Sequence, residues 1–397
     1  MFNESRRNLI PFLILGLFQA YLLAKGFYSI SADEAGHTLD ALAFYNGSSL
    51  FGIWLPFQKM FLGIFLFDLF WMPRIVSMIL GHLTLLVLML ISQKIFKESL
   101  YTGILGALSL IAVFSVLPLA EIYFLFFLLL SIYLLLKESN WVILSTIILT
   151  SVRFEGWIFA LIIGIVLYQR IGLKALIVFI FPLFWVLLSY FETGSLLGFI
   201  TQVSARKRVF TAEDSVLYNF LLISIYSLSL LGIFYLGKNK IYALIFISTL
   251  IIWTLATSLS GAMATHNVWR VGLAWNVLLI PFTAYFITRI KYKVVVLAVI
   301  GYLFFAQSID HSKESYTKPE DLQAGKVISN LEGKFIMPRY GWEYSNLLVT
   351  SGKEIVFKDS LYYADTKGYD YIILMQEVNL PLVYENKKWR IYENSIH

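Results

Sequence analysis

Long apolar runs, separated by short charged segments, constrain this chain more than any other feature. The chain is 59% hydrophobic and 14% charged, whereas a soluble domain carries about 25% charged residues. A helix of roughly 17–25 apolar residues is long enough to cross a bilayer. Residues 1–307 therefore predict a polytopic α-helical membrane protein of about eleven spans. The runs lie at roughly 8–29, 75–93, 101–117, 119–136, 141–152, 156–169, 175–190, 216–236, 241–258, 269–288 and 294–307.

The charges between the runs predict an orientation. Residues 1–307 hold twenty Lys and Arg against twelve Asp and Glu, whereas residues 308–397 hold eleven against thirteen. The positive charge thus belongs to the membrane part, where it reports topology and not nucleic-acid binding. With a cytoplasmic N-terminus, twelve basic residues fall in short cytoplasmic loops, and residues 30–74 form an outer loop. The chain has no cysteine, which excludes disulfides and Cys-ligated metal sites.

The fifth and sixth runs, 141–152 and 156–169, are short for full crossings, so we expect them to tilt or to reach only partway. Residues 308–397 predict a small α/β domain outside the membrane. Its signals are one helix and four strands, at Pro319–Leu331, Lys334–Met337, Glu354–Phe357, Tyr369–Leu374 and Trp389–Tyr392. No glycine-rich phosphate loop and no catalytic signature occur in it.

The first outer loop opens with a cluster of ionisable residues. Ser31 and Glu34 form a capping-box pattern, which predicts a helix start. On that helix Asp33, His37 and Asp40 share one face, while Ala35 and its apolar neighbours lie opposite. This pattern suits a helix lying on the membrane surface with its apolar side down. The carboxylates either cap the helix and complement its dipole or do chemistry, and the spacing of Asp33, His37 and Asp40 also allows a divalent ion.

Cations later in the outer segments complete the set of candidates. Lys59 and Arg74 can hold a phosphate or reach lipid head groups. Arg153 and Glu155 either pair with each other or face a cavity. Arg206 and Arg208 belong to a basic run that contacts either a phosphate or solvent. His266 and Arg270 lie on either side of Trp269 at the start of a span, and His266 is either a ligand or a structural residue. Glu121 begins another span, where it favours the positive end of the helix dipole.

The ordered motifs resemble the GT-C superfamily of membrane glycosyltransferases, in its protein O-mannosyltransferase and aminoarabinose transferase branch. The matching segments are Asp33–Glu34, Pro56–Lys59, Arg74–Gly81, Ser151–Trp157 and Glu192–Leu196. Leu55 and Gln58 depart from the Pro and Gly of the family pattern, which weakens the likeness to protein mannosyltransferases in particular. The C-terminal soluble domain is also of the family's kind.

The resemblance implies transfer of one sugar from a polyprenyl-phosphate donor to an acceptor hydroxyl on the outer face of the plasma membrane. It implies Asp33 as the base of an inverting displacement, with Glu34 orienting a substrate or a metal. Lys59, Arg74, Arg153, Arg206 and Arg208 would hold the donor phosphate, and His37, Asp40, Glu155, His266 and Arg270 would line the acceptor side or support the site. A divalent cation, Mg or Mn, and the acceptor class (protein, lipid or glycan) stay open.

Two other functions remain open at this point. A transporter or flippase of lipid-linked sugars would do no chemistry, and a receptor or assembly factor would bind only. The predicted spans carry few ionisable residues and no inverted repeat, and both features disfavour a transporter.

Overall fold

A computed structural model describes residues 9–25, 32–52, 54–200, 228–260, 268–315, 319–340, 343–359 and 361–394. Helices make up the chain before the C-terminal sheet. They are α1 (Ile10–Ala24), α2 (Ala32–Tyr45), α3 (Pro56–Gly63), α4 (Trp71–Phe96), α5 (Leu100–Leu108), α6 (Leu110–Val116), α7 (Ala120–Leu136), α8 (Trp141–Val152), α9 (Glu155–Ile171), α10 (Ile180–Thr193), α11 (Lys240–Ser260), α12 (Val268–Thr288) and α13 (Lys293–Ser315). Two 3-10 segments, Gly172–Phe179 and Leu228–Lys238, join them.

Three stretches of the described chain are long and apolar enough to cross a membrane. They are α4, the continuous helical stretch Glu155–Thr193, and Lys293–Asp310 within α13. A stripe of exposed apolar side chains runs along α4 at a helical spacing and includes Ile75, Ile79 and Leu83. Such a stripe is a liability in water and suits a lipid environment. The apolar helices therefore have the character of membrane helices.

The eleven crossings expected from the sequence are not confirmed. The run 101–117 forms two helices, because Ser109 ends α5 and its side chain accepts a hydrogen bond of 3.2 Å from the backbone N–H of Ile111 in α6. Each of these helices is too short to cross alone. The runs at 141–152 and 156–169 do form separate helices, α8 and α9, as expected.

A large hydrophobic core joins most of the described helices before the C-terminal domain. Leu88 of α4, Phe114 of α6, Leu128 of α7, Leu149 of α8 and Phe159 of α9 are fully buried in it. Among lipid tails the hydrophobic effect adds little between helices, so close van der Waals packing holds them together. This packing fixes the ends of α4, α7 and α8, where the charged residues lie.

The C-terminal domain contains α14 (Pro319–Asn330), α15 (Glu343–Ser351), a 3-10 turn (Tyr363–Thr366) and a five-stranded sheet. The strands are β1 (Phe335–Pro338), β2 (Ile355–Lys358), β3 (Tyr371–Leu374), β4 (Leu382–Glu385) and β5 (Arg390–Glu393), in the order β2-β1-β3-β5-β4. The pairs of β1 with β2 and with β3 are parallel, and the pairs of β5 with β3 and with β4 are antiparallel. The expected small α/β domain is thus confirmed, and the sequence missed β4 and α15.

A buried carboxylate joins the layers of this domain. Asp321 of α14 is fully buried and accepts hydrogen bonds from Asn346 (2.5 Å) and Trp389 (2.6 Å), and it pairs with Lys388 at 2.8 Å. The helix α13 before the domain continues to Ser315, past the boundary expected at residue 307.

The helix α2 packs against this domain. Ala35 and Leu39 of α2 lie against Val349 of α15, with Leu69 and Phe70 completing the cluster. The expectation that the apolar side of α2 lies on the membrane is therefore wrong for these residues, since protein covers them. The cause is α15, a helix that the sequence analysis did not foresee.

Candidate active site

The two adjacent carboxylates at the start of α2 lie in different environments. Asp33 and Glu34 occupy the first turn of the helix, where the helix dipole favours negative charge. Neighbouring residues on a helix point about 100° apart. The Asp33 side chain is 51% exposed, whereas that of Glu34 is fully buried. Only Asp33 is therefore presented to a molecule arriving from outside.

Glu34 is paired with Arg74. The Arg74 guanidinium, 1% exposed, donates to the Glu34 carboxylate and, at 2.7 Å, to the carbonyl oxygen of Phe70. It also lies 3.9 Å from the centre of the Phe70 ring. This buried pair ties α2 to α4. Arg74 is thus directed at Glu34 and does not face Asp33.

Asp33 belongs to a chain of alternating charges drawn from four helices. Arg270 of α12 pairs with both Asp33 and Glu121 of α7. Arg153 pairs with the same Glu121 oxygen at 2.5 Å and with Glu155 of α9 at 2.6 Å. Glu121 is 1% exposed, and each of the two arginines is 17% exposed. We call these five residues the charge network.

Local backbone geometry explains how the network forms. Glu121 lies in the first turn of α7, where the helix dipole favours it. Arg270 lies in the first turn of α12, where the dipole disfavours a cation, so it depends on its two carboxylates. Arg153 ends α8 in an extended conformation before α9 begins. The turn is tight at Gly156, where a β-carbon would lie 2.5 Å from the Leu149 carbonyl oxygen.

The network sets the protonation of its exposed end. Burial acts to raise the pKa of Asp33, but the charge and hydrogen bond of Arg270 outweigh it and lower the pKa below its ordinary value. Asp33 is therefore ionised at neutral pH. On the same face of α2, burial lowers the pKa of His37 to about 4, against the opposite effect of Asp33. The His37 imidazole is therefore neutral at pH 7.

A second ion pair and an aromatic contact hold the rest of α2. Lys59 of α3, 3% exposed, lies 3.2 Å from the carboxylate of Asp40, which is 30% exposed. The Trp54 ring covers the backbone at Gly36 and packs on His37 with 4.3 Å between ring centres. These contacts join α2 to α3. Asp40 and His37 thus have partners that support the helix.

The residues suggested for a divalent cation do not form a metal site in this structure. Across the described ranges, no three His, Asp or Glu side chains come together as a metal site would require. Asp33 is directed at Arg270, and Asp40 is directed at Lys59. A cation bound by Asp33 and Asp40 would have to displace both of these positive charges.

Three candidates from the sequence, Arg206, Arg208 and His266, lie outside the described residues. The sequence indicates Glu121 only as a partner of a helix dipole, and it does not predict that Glu121 joins two arginines of the charge network. Its signal was present in the sequence, because it is the one carboxylate in a 17-residue helix that is otherwise apolar. An ionisable residue in such a helix needs a partner or a function.

The arrangement places a half-exposed, ionised carboxylate, Asp33, beside Arg270, and Glu121 links Arg270 to a second arginine, Arg153. Such a site can accept a proton and, next to it, stabilise a developing negative charge such as that on a phosphate. The chain matches no protein-family model, no curated protein and no solved structure.

Proposed function

We propose that this chain is a membrane glycosyltransferase that moves one sugar from a polyprenyl-phosphate donor to an acceptor hydroxyl, with inversion and with Asp33 as general base. The observation that carries the proposal is the charge network, which sets the exposed Asp33 carboxylate against Arg270 and, through Glu121, Arg153. The order of motifs that resembles the GT-C superfamily agrees with it.

The reaction requires a base for the acceptor hydroxyl and cations for the phosphate, and the charge network contains carboxylates and arginines. The acceptor oxygen attacks the anomeric carbon, and the bond from that carbon to the phosphate oxygen breaks. The acceptor proton passes to the Asp33 carboxylate. General-base catalysis by such a carboxylate contributes about 10²–10⁴-fold. A phosphate leaving group needs no strong acid, which fits a site built from carboxylates and arginines.

The charge on the leaving phosphate grows from one negative charge in the donor to two in the product. Arg270 lies next to Asp33, and Arg153 lies on the other side of Glu121; each of the two arginines is 17% exposed. Charge-assisted hydrogen bonds from arginine to phosphate would stabilise this change. Here Arg270 has two tasks, since a donor phosphate competes with Asp33 for it. When the phosphate takes Arg270, the pKa of Asp33 rises and the carboxylate becomes a stronger base.

Other residues position the site. Glu34 and Arg74, buried against each other, hold α2 on α4 and so fix the direction of Asp33. Lys59 and Asp40 do the same between α2 and α3. Arg206 and Arg208 remain candidates for further contacts to the donor phosphate, and His266 for the acceptor side.

The charge pattern of the sequence supports an orientation of the chain in the membrane. Positive residues concentrate in the loops on one side of the proposed spans, which favours a cytoplasmic N-terminus and a site on the outer face. A lipid-linked donor reaches such a site sideways from the bilayer, and no nucleotide-binding domain is needed. The protein would then act at the plasma membrane on a protein, lipid or glycan acceptor.

The test uses the purified full chain, radiolabelled polyprenyl-phosphate sugars and a set of candidate acceptors, with released polyprenyl phosphate as the measurement. The variant Asp33→Asn should lose about 10²–10⁴-fold of the transfer rate. The matched control is Asp359→Asn, because Asp359 is 90% exposed in the C-terminal domain, away from the network. It should keep the wild-type rate.

Two outcomes would contradict the proposal. Wild-type turnover by Asp33→Asn would remove Asp33 as the base. Movement of the labelled donor across proteoliposomes, without release of polyprenyl phosphate for any acceptor, would favour a transporter instead.

A further inference from the structure

The C-terminal domain holds a cavity that the proposed transferase does not use. Its volume is ≈ 440 Å³, within the range of about 300–1,000 Å³ of small-molecule sites. Its walls are contributed by the ends of β1 and β3 and by the segments that follow β2 and β3. The lining residues are Pro338, Tyr340, Leu361, Tyr362, Thr366, Ile372, Leu374, Gln376, Val378 and Leu380.

The position of the cavity follows from the topology of the sheet. β1 and β3 are parallel neighbours. The chain leaves β1 for α15, which packs on the face of the sheet that carries Phe335. After β3 the chain crosses to the opposite face, where Val378 and Leu380 pack on Ile372. Parallel strands whose connections go to opposite faces leave a crevice at their carboxyl ends, and ligands bind in such crevices.

Two hydrogen bonds hold the walls of the cavity in place. The Tyr340 hydroxyl accepts from the backbone N–H of Met375 at 3.2 Å, and the Tyr392 hydroxyl accepts from that of Val378 at 3.2 Å. The segment that follows β3 is thus fixed to Tyr340, which follows β1, and to Tyr392 of β5. A site whose walls are already in place needs little ordering when a ligand binds.

The chemistry of the lining points to a particular class of ligand. None of the described residues that line the cavity carries a charge, so a phosphate, a carboxylate or a cation would be desolvated there without compensation. Ile372 and Leu374 form an apolar floor. Tyr362 at the rim is 70% exposed and carries a hydroxyl, and the exposed Gln376 provides an amide group.

We propose that this cavity binds a sugar residue of an uncharged glycan. A pyranose ring has an apolar face of C–H groups that suits the Tyr362 ring, and neutral hydroxyls at its edge that suit the amide and hydroxyl groups of the lining. The proposal is about binding alone and holds whether or not the chain transfers sugars.

The experiment uses NMR to measure saturation transfer from the full chain, held in phosphatidylcholine nanodiscs, to added glycosides. Nanodiscs are used because detergents with sugar head groups would compete with the glycosides for the cavity. The probes are the methyl glycosides of glucose, galactose, mannose and N-acetylglucosamine. At least one should receive saturation from the protein. Tyr362→Ala should reduce that signal by about two- to tenfold, the range expected for loss of one ring contact.

The matched control is Tyr292→Ala, because Tyr292 is 66% exposed and lies between α12 and α13, in the helical module. It should leave the signal unchanged. Absence of saturation transfer to all four glycosides would overturn the proposal, as would equal signals from Tyr362→Ala and the wild type. A Tyr362-dependent signal from the dipeptide N-acetyl-Leu-Phe-amide, with none from the glycosides, would instead assign the cavity to a peptide. The readout is binding, so its failure leaves the transferase proposal standing, and the reverse also holds.

Discussion

The buried pair of Glu34 and Arg74 gives the sharpest energetic prediction. The carboxylate is fully buried and the guanidinium is 1% exposed, so water cannot replace either partner. Removing one member of a buried ion pair costs about 3–5 kcal/mol, because the remaining charge loses its compensation. We expect Arg74→Met to lower the free energy of unfolding by about this amount. Methionine fills much of the space beside Phe70, so lost packing adds little.

The double variant Glu34→Gln with Arg74→Met separates charge from packing. Replacing both charges removes the buried carboxylate, and such replacements are often neutral or stabilising. The double variant should therefore recover most of the loss, and the interaction energy of the double-mutant cycle should be about 2 kcal/mol or more. The assay is unfolding of the purified protein in detergent with increasing denaturant. Additive losses, or a change below about 1 kcal/mol for Arg74→Met, would refute the reasoning.

Three further predictions concern the same region. Burial lowers the pKa of His37 to about 4, so below pH 6.5 the unfolded chain binds the His37 proton more tightly than the folded chain does. The free energy of unfolding should therefore fall by about 3 kcal/mol as the pH drops from 6.5 toward 4, and acid unfolding of His37→Gln should lack that fall. Gly36→Ala places a β-carbon 2.7 Å from the Trp54 ring and should cost about 1–3 kcal/mol, and Trp54→Leu in the same chain should restore thermal stability. Arg270→Lys loses the paired contacts to Asp33 and Glu121 and should raise the KM for the polyprenyl-phosphate donor about tenfold or more; an unchanged donor KM would remove Arg270 from the phosphate site.

The sequence predicted the helix that begins at residue 32. It predicted the different roles of Asp33 and Glu34 only in part. The capping box and the helical face depend on local spacing, which a sequence shows directly. It also indicated that Arg153 could pair with Glu155, two residues away. The helix Ala32–Tyr45 and the Arg153–Glu155 pair are confirmed, whereas Ser31 of the capping box lies outside the described residues.

The partners of Asp33 could not be predicted in the same way. Arg270 lies 237 positions along the chain from Asp33, and only the packing of α2, α7 and α12 brings it to Glu121 and Asp33. The resemblance implied that Arg74 binds the donor phosphate, but burial, which the sequence does not show, directs Arg74 to Glu34. Long-range pairing of charges depends on the helix packing, and several packings are compatible with the same apolar runs.

The contact of α2 with α15 has a consequence for how the protein is made. The ribosome synthesises Asp33 and Ala35 long before Val349, which packs on Ala35. A nascent chain halted at residue 330 would already contain every member of the charge network and would still lack the helix that covers α2. The membrane part folds first as synthesis proceeds from the N-terminus. The apolar side of α2, next to the proposed site, is therefore covered only after α15 has emerged and folded.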